Sequence, residues 1–286
     1  MNFSRLFMFE RKKDITLIPV GGLANRMRAI ASAVELSRIC DCWLNVYWFR
    51  DMGLNARFGD IFCGMNLDKV NIYEGDFTDK LLYDRPRKYN LWLSEISQKM
   101  FFSRCIYEKE VNSYCRDIER FKKLLCNGNL YISSCYPVID YPESLLSDIF
   151  RPVDEIQTEV MARIARMSDC RIGVHIRRTD HTVAINNSPN ELFYAAIDEE
   201  LLHNESLTIY LATDSEEVKA AFADRYGDKV FYSSIRADRN SISGIREAVV
   251  EMYMLSMTDK IFGSCGSSYS EIAAALGGIT LKVLKI

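Results

Sequence analysis

Apolar and polar positions follow two periods along much of the chain. Short apolar runs, typical of buried strands, are followed by longer stretches whose apolar residues recur at helical spacing. After Pro152 this pattern predicts strands at 170–176, 207–213, 229–234, 260–264 and 279–286. Strands that alternate with helices indicate a mostly parallel, doubly wound α/β sheet.

The helices between these strands are also readable from the pattern. Ser215 precedes one of them as an N-cap residue. The helix at 242–257 carries an apolar stripe formed by Ile245, Val249, Met252 and Leu255. Glu251 lies off that stripe, so it is expected on a solvated face. The predicted helices cover 153–167, 193–202, 215–226, 242–257 and 267–276.

A second strand–helix–strand unit starts near the N-terminus. A strand at 15–20 is followed by the Gly-rich turn "GGLAN", a helix at 26–38 and a strand at 42–49. Between 51 and 150 the pattern gives no clear order, apart from a strand within 128–137. We therefore expect two domains, at 1–152 and 153–286.

Charge and cysteine content narrow the class of protein. The 286 residues carry a formal charge of -3, which does not favour a nucleic-acid binder. No apolar run is long enough to span a bilayer, and the N-terminus is too short and too broken for a secretory signal. Nine unpatterned cysteines indicate reduced thiols. We expect a cytoplasmic protein with at most peripheral membrane association; the oligomeric state stays open.

Polar and charged residues collect where the predicted strands end. Arg177, Arg178 and Asp180 follow one strand, Asp214 follows the next, and "SCGSSYS" (264–270) follows a third. Ligands of open parallel sheets bind outside the carboxyl ends of the strands. We expect these residues to line one site, in a cleft between the two domains.

The residue types at these ends suit a diphosphate. The arginine guanidinium is a planar fork of donors that stays charged, and a helix that starts with small residues offers free N–H groups. Ser267 and Ser268 add hydroxyls. The chain has no Asp-x-Asp motif and too few histidines near cysteine pairs for zinc, so no metal is expected.

Each feature also has a simpler structural explanation. Arg178 could form a salt bridge with Asp180 that only orients the turn. Asp214 could simply start the next helix, and His175, inside a strand, could be an ordinary core histidine.

Three ordered motifs carry a family resemblance. "HIRRTD" (175–180), "YLATD" (210–214) and "REAVVEMYMLSMTDKIFGSCGSSYSE" (246–271) resemble the superfamily of α-1,2-, α-1,6- and protein O-fucosyltransferases. The α-1,6 branch, with the nodulation fucosyltransferases, is most similar, and "GGLANRM" (21–27) is similar to a Gly-rich motif of several branches. The likeness covers about 170–275 well and 15–38 more loosely.

The resemblance implies a GT-B-like α/β fold, with two Rossmann-like domains whose parallel sheets face a cleft. It implies an inverting, metal-independent transfer of fucose from GDP-fucose to a glycan hydroxyl. The acceptor would bind at 1–152 and the nucleotide sugar at 153–286. Arg177 and Asp180 would be catalytic, Arg177 on the β-phosphate and Asp180 orienting it. The donor contacts would be His175, Arg178, Asp214, Glu251, Ser267, Ser268, Tyr269, Gly22 and Asn25.

The sequence departs from the family at two positions. Glu251 stands where the family usually has Asp, as the contact to guanine. Ile185 stands where the α-1,6 branch has a Glu, so the general base is open among Asp180, His181, Glu191 and an acidic residue in 50–150. Two alternatives remain: another nucleotide-sugar donor, and a catalytically silent binding protein. Some aromatic residues could stack on acceptor sugars, although core packing is favoured: Tyr83, Tyr89, Trp92, Phe101 and Phe102.

Overall fold

The computed structural model describes residues 13–64, 67–87, 93–179, 181–235 and 238–286. They form two compact units. The first runs to Gly53 and resumes at Gly64–Leu145; the second contains Leu54–Cys63 and Leu146–Ile286. The predicted division at residue 152 thus falls a few residues inside the second unit.

The first unit is a five-stranded parallel sheet in the order β3-β2-β1-β5-β4. The predicted strands at 15–20 and 42–49 and the helix after "GGLAN" are confirmed. Its strands are β1 (Asp14–Pro19), β2 (Trp43–Trp48), β3 (Val70–Glu74), β4 (Arg104–Ile106) and β5 (Leu130–Ser134). Its helices are α1 (Leu23–Cys40), α2 (Phe77–Tyr83), α3 (Leu93–Phe101), α4 (Glu108–Tyr114) and α5 (Ile118–Cys126).

The aromatic residues of the middle region belong largely to this unit's core. Tyr83 and Phe102 pack against a buried cluster that includes Ile18 and Tyr131, as the core-packing interpretation expects. Phe101 differs, because its side chain is 60% exposed. Tyr89 and Trp92 lie outside the described residues.

The second unit is also a five-stranded parallel sheet, in the order β10-β9-β6-β7-β8. All five predicted strands are confirmed as β6 (Arg171–Ile176), β7 (Thr208–Thr213), β8 (Val230–Tyr232), β9 (Lys260–Ser264) and β10 (Thr280–Leu284). The helix α6 (Ser144–Ile149) spans the boundary between the two units. The other helices are α7 (Asp154–Ile164), α8 (Thr182–Asn187), α9 (Asn190–His203), α10 (Glu216–Tyr226), α11 (Ile242–Ser256) and α12 (Ser268–Gly277). Ser215 caps α10, since its hydroxyl accepts from the Val218 N–H at 3.3 Å.

Both faces of β6 are covered by helices. Ile172, Val174 and Ile176 pack into a buried cluster with Phe193 of α9 and residues of α10. Gly173 points to the other face, where an added Cβ would lie 2.9 Å from the Leu255 side chain of α11. The absence of a side chain there lets α11 pack closely on the sheet.

The strand order determines where a ligand-binding crevice opens at the end of each sheet. In the second unit the chain winds from β6 through β7 to β8 on one side, then returns to β9 and β10 on the other. The switch point lies between β6 and β9, and in the first unit it lies between β1 and β5. At a switch point the connections leave in opposite directions, which opens a crevice at the carboxyl edge.

Candidate functional site

The polar ends of β6, β7 and β9 lie side by side at the switch point of the second unit. In the sheet register, His175 of β6 is opposite Ala212 of β7 on one side and Gly263 of β9 on the other. Arg177, Asp214 and Cys265 therefore leave neighbouring strands at the same edge. The sheet itself brings together residues that lie far apart in the sequence.

Asp214 fixes the turn that follows β6. Its carboxylate accepts from Arg177 Nη1 at 3.0 Å, the Arg178 N–H at 2.8 Å and the Thr179 hydroxyl at 2.7 Å. Burial alone would raise the pKa of Asp214, but the Thr179 hydroxyl and the Arg177 charge lower it below the usual value. An ionised carboxylate thus holds Arg177 at the mouth of the crevice.

The two adjacent arginines have different surroundings. The Arg178 guanidinium turns back into its own unit, where it donates to the carbonyls of Arg177 at 2.9 Å and Ser188 at 2.7 Å. The Arg177 side chain is 21% exposed at the strand end. Of the two, Arg177 is placed to meet an incoming anion.

Ser188 connects three elements around this turn, a role that sequence reasoning missed. It is fully buried. Its hydroxyl donates to the Leu284 carbonyl of β10 at 2.5 Å and accepts from the Cys265 N–H at 2.9 Å. Its own carbonyl accepts from Arg178. These partners are distant in sequence, so no local pattern marks the residue.

We expect Ser188→Ala to lower the free energy of unfolding by about 1–3 kcal/mol, because the Cys265 N–H loses its partner. The loop should also lose order, which should weaken binding of inorganic pyrophosphate by roughly three- to tenfold. Urea unfolding and calorimetry measure the two effects. Ser206→Ala is the control, since Ser206 is exposed and bonds only to nearby Asn204. Loss of stability with unchanged pyrophosphate affinity would show that Ser188 does not position the turn.

The start of α12 forms the opposite wall of the crevice. Gly266 turns the chain with a positive φ of 69°, which glycine adopts without strain. Ser267 is the N-cap residue, but its hydroxyl makes no capping bond and instead lies 3.4 Å from His175 Nδ1. Ser268 begins the helix. Because the first N–H groups of a helix have no intrahelical partner, this wall attracts anions.

His175 is buried under this wall and stays neutral. Burial lowers its pKa to about 3, and the Arg177 charge contributes. Its ring packs against Tyr269, with the ring centroids 4.8 Å apart. The Tyr269 hydroxyl donates to the Ala248 carbonyl of α11, so the three groups join β6, α12 and α11.

Glu251 does not lie on a solvated face, contrary to the expectation from the helix pattern. Its side chain on α11 is only 8% exposed. Burial raises its pKa to about 8, and neighbouring Glu247 adds to the increase. The apolar stripe of the helix is buried as predicted, and Glu251 is buried beside it. A buried carboxyl with such a pKa is typical of a functional position.

In the first unit, the Gly-rich turn joins β1 to α1. Gly21 has a φ of 86°, and Gly22 is the N-cap residue of α1. Asn25 lies against Gly21, because an added Cβ there would come within 3.1 Å of the Asn25 amide nitrogen. Arg26 is fully buried and donates to the Gly21 carbonyl at 2.9 Å and to Asp51 at 2.8 Å. Sequence reasoning missed this arginine, whose hydrogen bonds hold the turn in place.

Two of the candidates for a general base, His181 and Glu191, lie in the described residues. Asp180 lies outside the described residues. His181 caps α8, since its Nδ1 accepts from the Ala184 N–H at 3.1 Å. Glu191 is exposed in the first turn of α9, and Ile185 lies partly exposed on α8.

The described residues contain neither a metal-binding cluster nor a membrane-spanning helix. No group of three or more histidine, cysteine or acidic side chains there could hold a metal ion. No described helix combines the length and the apolar character needed to cross a membrane. All nine cysteines lie in the described part of the chain and are free thiols.

The two parallel sheets define an α/β protein of the GT-B-like class, with two Rossmann-like units. Over nearly its whole length the chain is similar to solved fucosyltransferases of this class. NodZ α-1,6-fucosyltransferase soaked with GDP-fucose gives a TM-score of 0.63 at 16% identity, covering 93% of this chain and 92% of that one. A variant of Arabidopsis thaliana FUT1 in complex with GDP gives 0.61 at 17%, covering 95% and 70%. POFUT1 in complex with GDP gives 0.54 at 10%, covering 95% and 98%.

The similarity is confined to structure. No family model matches the sequence, and no curated protein gives a significant match. At such low identities the comparisons establish the fold, and the activity has to be argued from the site.

Proposed function

We propose that this protein is an inverting, metal-independent glycosyltransferase that moves fucose from GDP-fucose to a hydroxyl of a glycan acceptor. The observation that carries the proposal is Arg177, held by Asp214 at the sheet switch point beside the start of α12. Structures with the same fold, NodZ and POFUT1, were solved with GDP-fucose or GDP. Both lines of support point to a nucleoside diphosphate sugar.

The proposed transfer depends mainly on stabilising the negative charge of the leaving diphosphate. As the bond between sugar and diphosphate breaks, negative charge grows on the leaving β-phosphate. Arg177 and the N–H groups at the start of α12 are positioned to neutralise that charge, and Ser267 and Ser268 add hydroxyl donors. Because these groups supply the positive charge, the proposed reaction needs no divalent metal.

The proposed base specificity rests on Glu251 and His175. An ionised carboxyl group can accept from the N1–H and the amino group of guanine together, whereas uracil offers no such pair of donors. Both residues are buried. Guanosine diphosphate therefore matches this site better than uridine diphosphate does.

Calorimetry and a transfer assay test the proposal. We expect GDP and GDP-fucose to bind the wild-type protein in the presence of a chelator, and UDP to bind at least tenfold more weakly, about 1.4 kcal/mol. With a panel of glycan acceptors, NMR of the product should show an α-linked fucose, because inversion reverses the β-configuration of the donor. Binding of UDP in preference to GDP, or activity that appears only after Mg²⁺ is added, would contradict the proposal.

One observation favours a second candidate, a nucleotide-sugar-binding protein without transferase activity. Ile185 occupies α8 at the position where the sequence resemblance leads one to expect a Glu. Hydrolysis of GDP-fucose without acceptor separates the two candidates. Slow release of fucose that depends on Arg177 supports the enzyme, whereas tight GDP binding with no turnover supports the binding protein.

A further inference from the structure

The loop that leaves β6 reaches across the switch point of the second unit to the loop that leaves β9. At the start of this loop, the Arg177 main-chain N–H donates to the Ser264 hydroxyl at 3.2 Å. At its end, the His181 ring lies against Gly266, since an added Cβ there would be 3.4 Å from Cε1 and 4.0 Å from Nε2 of the ring. His181 therefore borders the wall that the start of α12 forms.

The short helix α8 holds His181 in this place. In its first turn, the Val183 side chain would be 3.8 Å from a Cβ at Gly266. Just after its last turn, the Ser188 hydroxyl accepts from the Cys265 N–H at 2.9 Å. Because α8 contacts the β9 loop at both ends, the half-buried ring of His181 is fixed beside the crevice.

The cap of α8 determines which nitrogen of His181 carries the hydrogen. Nδ1 accepts from the main-chain N–H of buried Ala184 at 3.1 Å, so its lone pair is occupied. A neutral imidazole has one donor and one acceptor nitrogen, so Nε2 carries the hydrogen. A general base needs a free lone pair to take the proton of the acceptor hydroxyl, and this tautomer offers none.

The Nε2–H group of His181 is instead available to a ligand. It has no hydrogen-bond partner among the described residues. The other anion donors, which are Arg177, the first N–H groups of α12 and the Ser267 hydroxyl, belong to the same two loops and the helix that follows. We propose that His181 is a further catalytic residue, whose Nε2–H donates to the departing diphosphate of the nucleotide sugar. This inference rests on the proposed function, and it removes His181 from the candidates for the general base.

Nitrogen-15 NMR of the imidazole rings reads the tautomer directly. At pH 8.5 we expect the His181 ring to carry its hydrogen on Nε2, and the Nε2 signal to shift when inorganic pyrophosphate is added. The signals missing from His181→Asn identify this ring among the three histidines of the chain. A hydrogen on Nδ1, or an Nε2 signal that does not respond to saturating pyrophosphate, would overturn the proposal.

Two substitutions separate the roles of the two nitrogens. The side-chain oxygen of asparagine can replace Nδ1 in the cap, so His181→Asn keeps the helix start and loses the donor at Nε2. It should weaken pyrophosphate and GDP by about three- to tenfold and lower kcat with GDP-fucose by about ten- to a hundredfold, with guanosine affinity unchanged. Glutamine can place its amide nitrogen near Nε2, so His181→Gln should bind pyrophosphate within about twofold of wild type and unfold at lower urea concentration.

His203→Asn is the matched control, because His203 is exposed on α9 and its Nδ1 lies 2.8 Å from the Glu199 carbonyl oxygen of the same helix. If Arg177→Ala weakens pyrophosphate and His181→Asn does not, the inference is wrong and the proposed function stands. Loss of transfer with normal GDP affinity and normal GDP-fucose hydrolysis would make His181 the general base. Equal losses of pyrophosphate affinity in His181→Asn and His181→Gln would show that only the shape of the loop matters. A wild-type protein that binds neither GDP nor pyrophosphate would overturn the proposed function and this inference with it.

Discussion

Replacing Arg177 with alanine is expected to lower kcat/KM for GDP-fucose by about 10²–10³, the usual effect of removing one donor to a developing negative charge. The loss should fall mainly on kcat, because the charge on the diphosphate grows as the sugar leaves. GDP affinity should fall as well, since the guanidinium also meets the ground-state phosphate. Steady-state kinetics and calorimetry on the same preparations separate the two effects.

Two further variants make this prediction specific. Arg177→Lys keeps the charge and loses the planar fork, so its activity should lie between those of wild type and alanine. Arg171→Ala is the control, because Arg171 lies at the amino end of the same strand, away from the strand-end site. Asp214 retains the Thr179 hydroxyl and the Arg178 N–H in Arg177→Ala, so the turn should stay folded. GDP affinity equal to that of wild type would remove Arg177 from the site.

The second unit could be predicted because its signals are local. Each strand there is a short apolar run, and each intervening helix has its own pattern, as the Ser215 cap of α10 illustrates. The strand-end site then follows from one topological rule, since parallel strands end at one edge. The sequence alone could therefore place Arg177 and Asp214 together without any knowledge of side-chain contacts.

The remaining features depend on contacts between distant residues. Ser188 is important because it meets Cys265 and Leu284, and Arg26 because it meets Phe49 and Asp51. The middle of the first unit resisted prediction for another reason. Its elements are short, such as the three residues of β4, and short segments carry little periodic signal.

Glu251 shows how packing overrides a helix pattern. An amphipathic helix that covers a sheet has one buried face, and a carboxyl off its apolar stripe is expected in water. Here α11 is enclosed on more than one side, with α7 and α12 beside it, so Glu251 is buried as well. The same burial that raises its pKa to about 8 makes its charge sensitive to what binds beside it.

Glu251→Gln is expected to weaken GDP binding by about ten- to a hundredfold at pH 8.5, the effect of losing a charge-assisted pair of hydrogen bonds. The pH dependence is the sharper test. In the protein without nucleotide, Glu251 is largely protonated below its pKa of about 8. The hydrogen-bond donors of guanine favour its ionised form. Binding should therefore release a proton near neutral pH, and GDP affinity should rise toward pH 8 and then level off.

Glu251→Gln should be more stable than wild type at high pH, although it binds GDP more weakly. Because the pKa of Glu251 is raised from 4.5 to about 8 by folding, the folded state binds more protons than the unfolded state between those values. Stability is thus lost as pH rises through that window, and Glu251→Gln should unfold at higher urea concentration than wild type at pH 8.5. Calorimetry in buffers of different ionisation enthalpy counts the released proton, with Glu217→Gln as an exposed control. A proton count in Glu251→Gln equal to that of wild type would place the guanine base elsewhere, because the released proton would then come from another group.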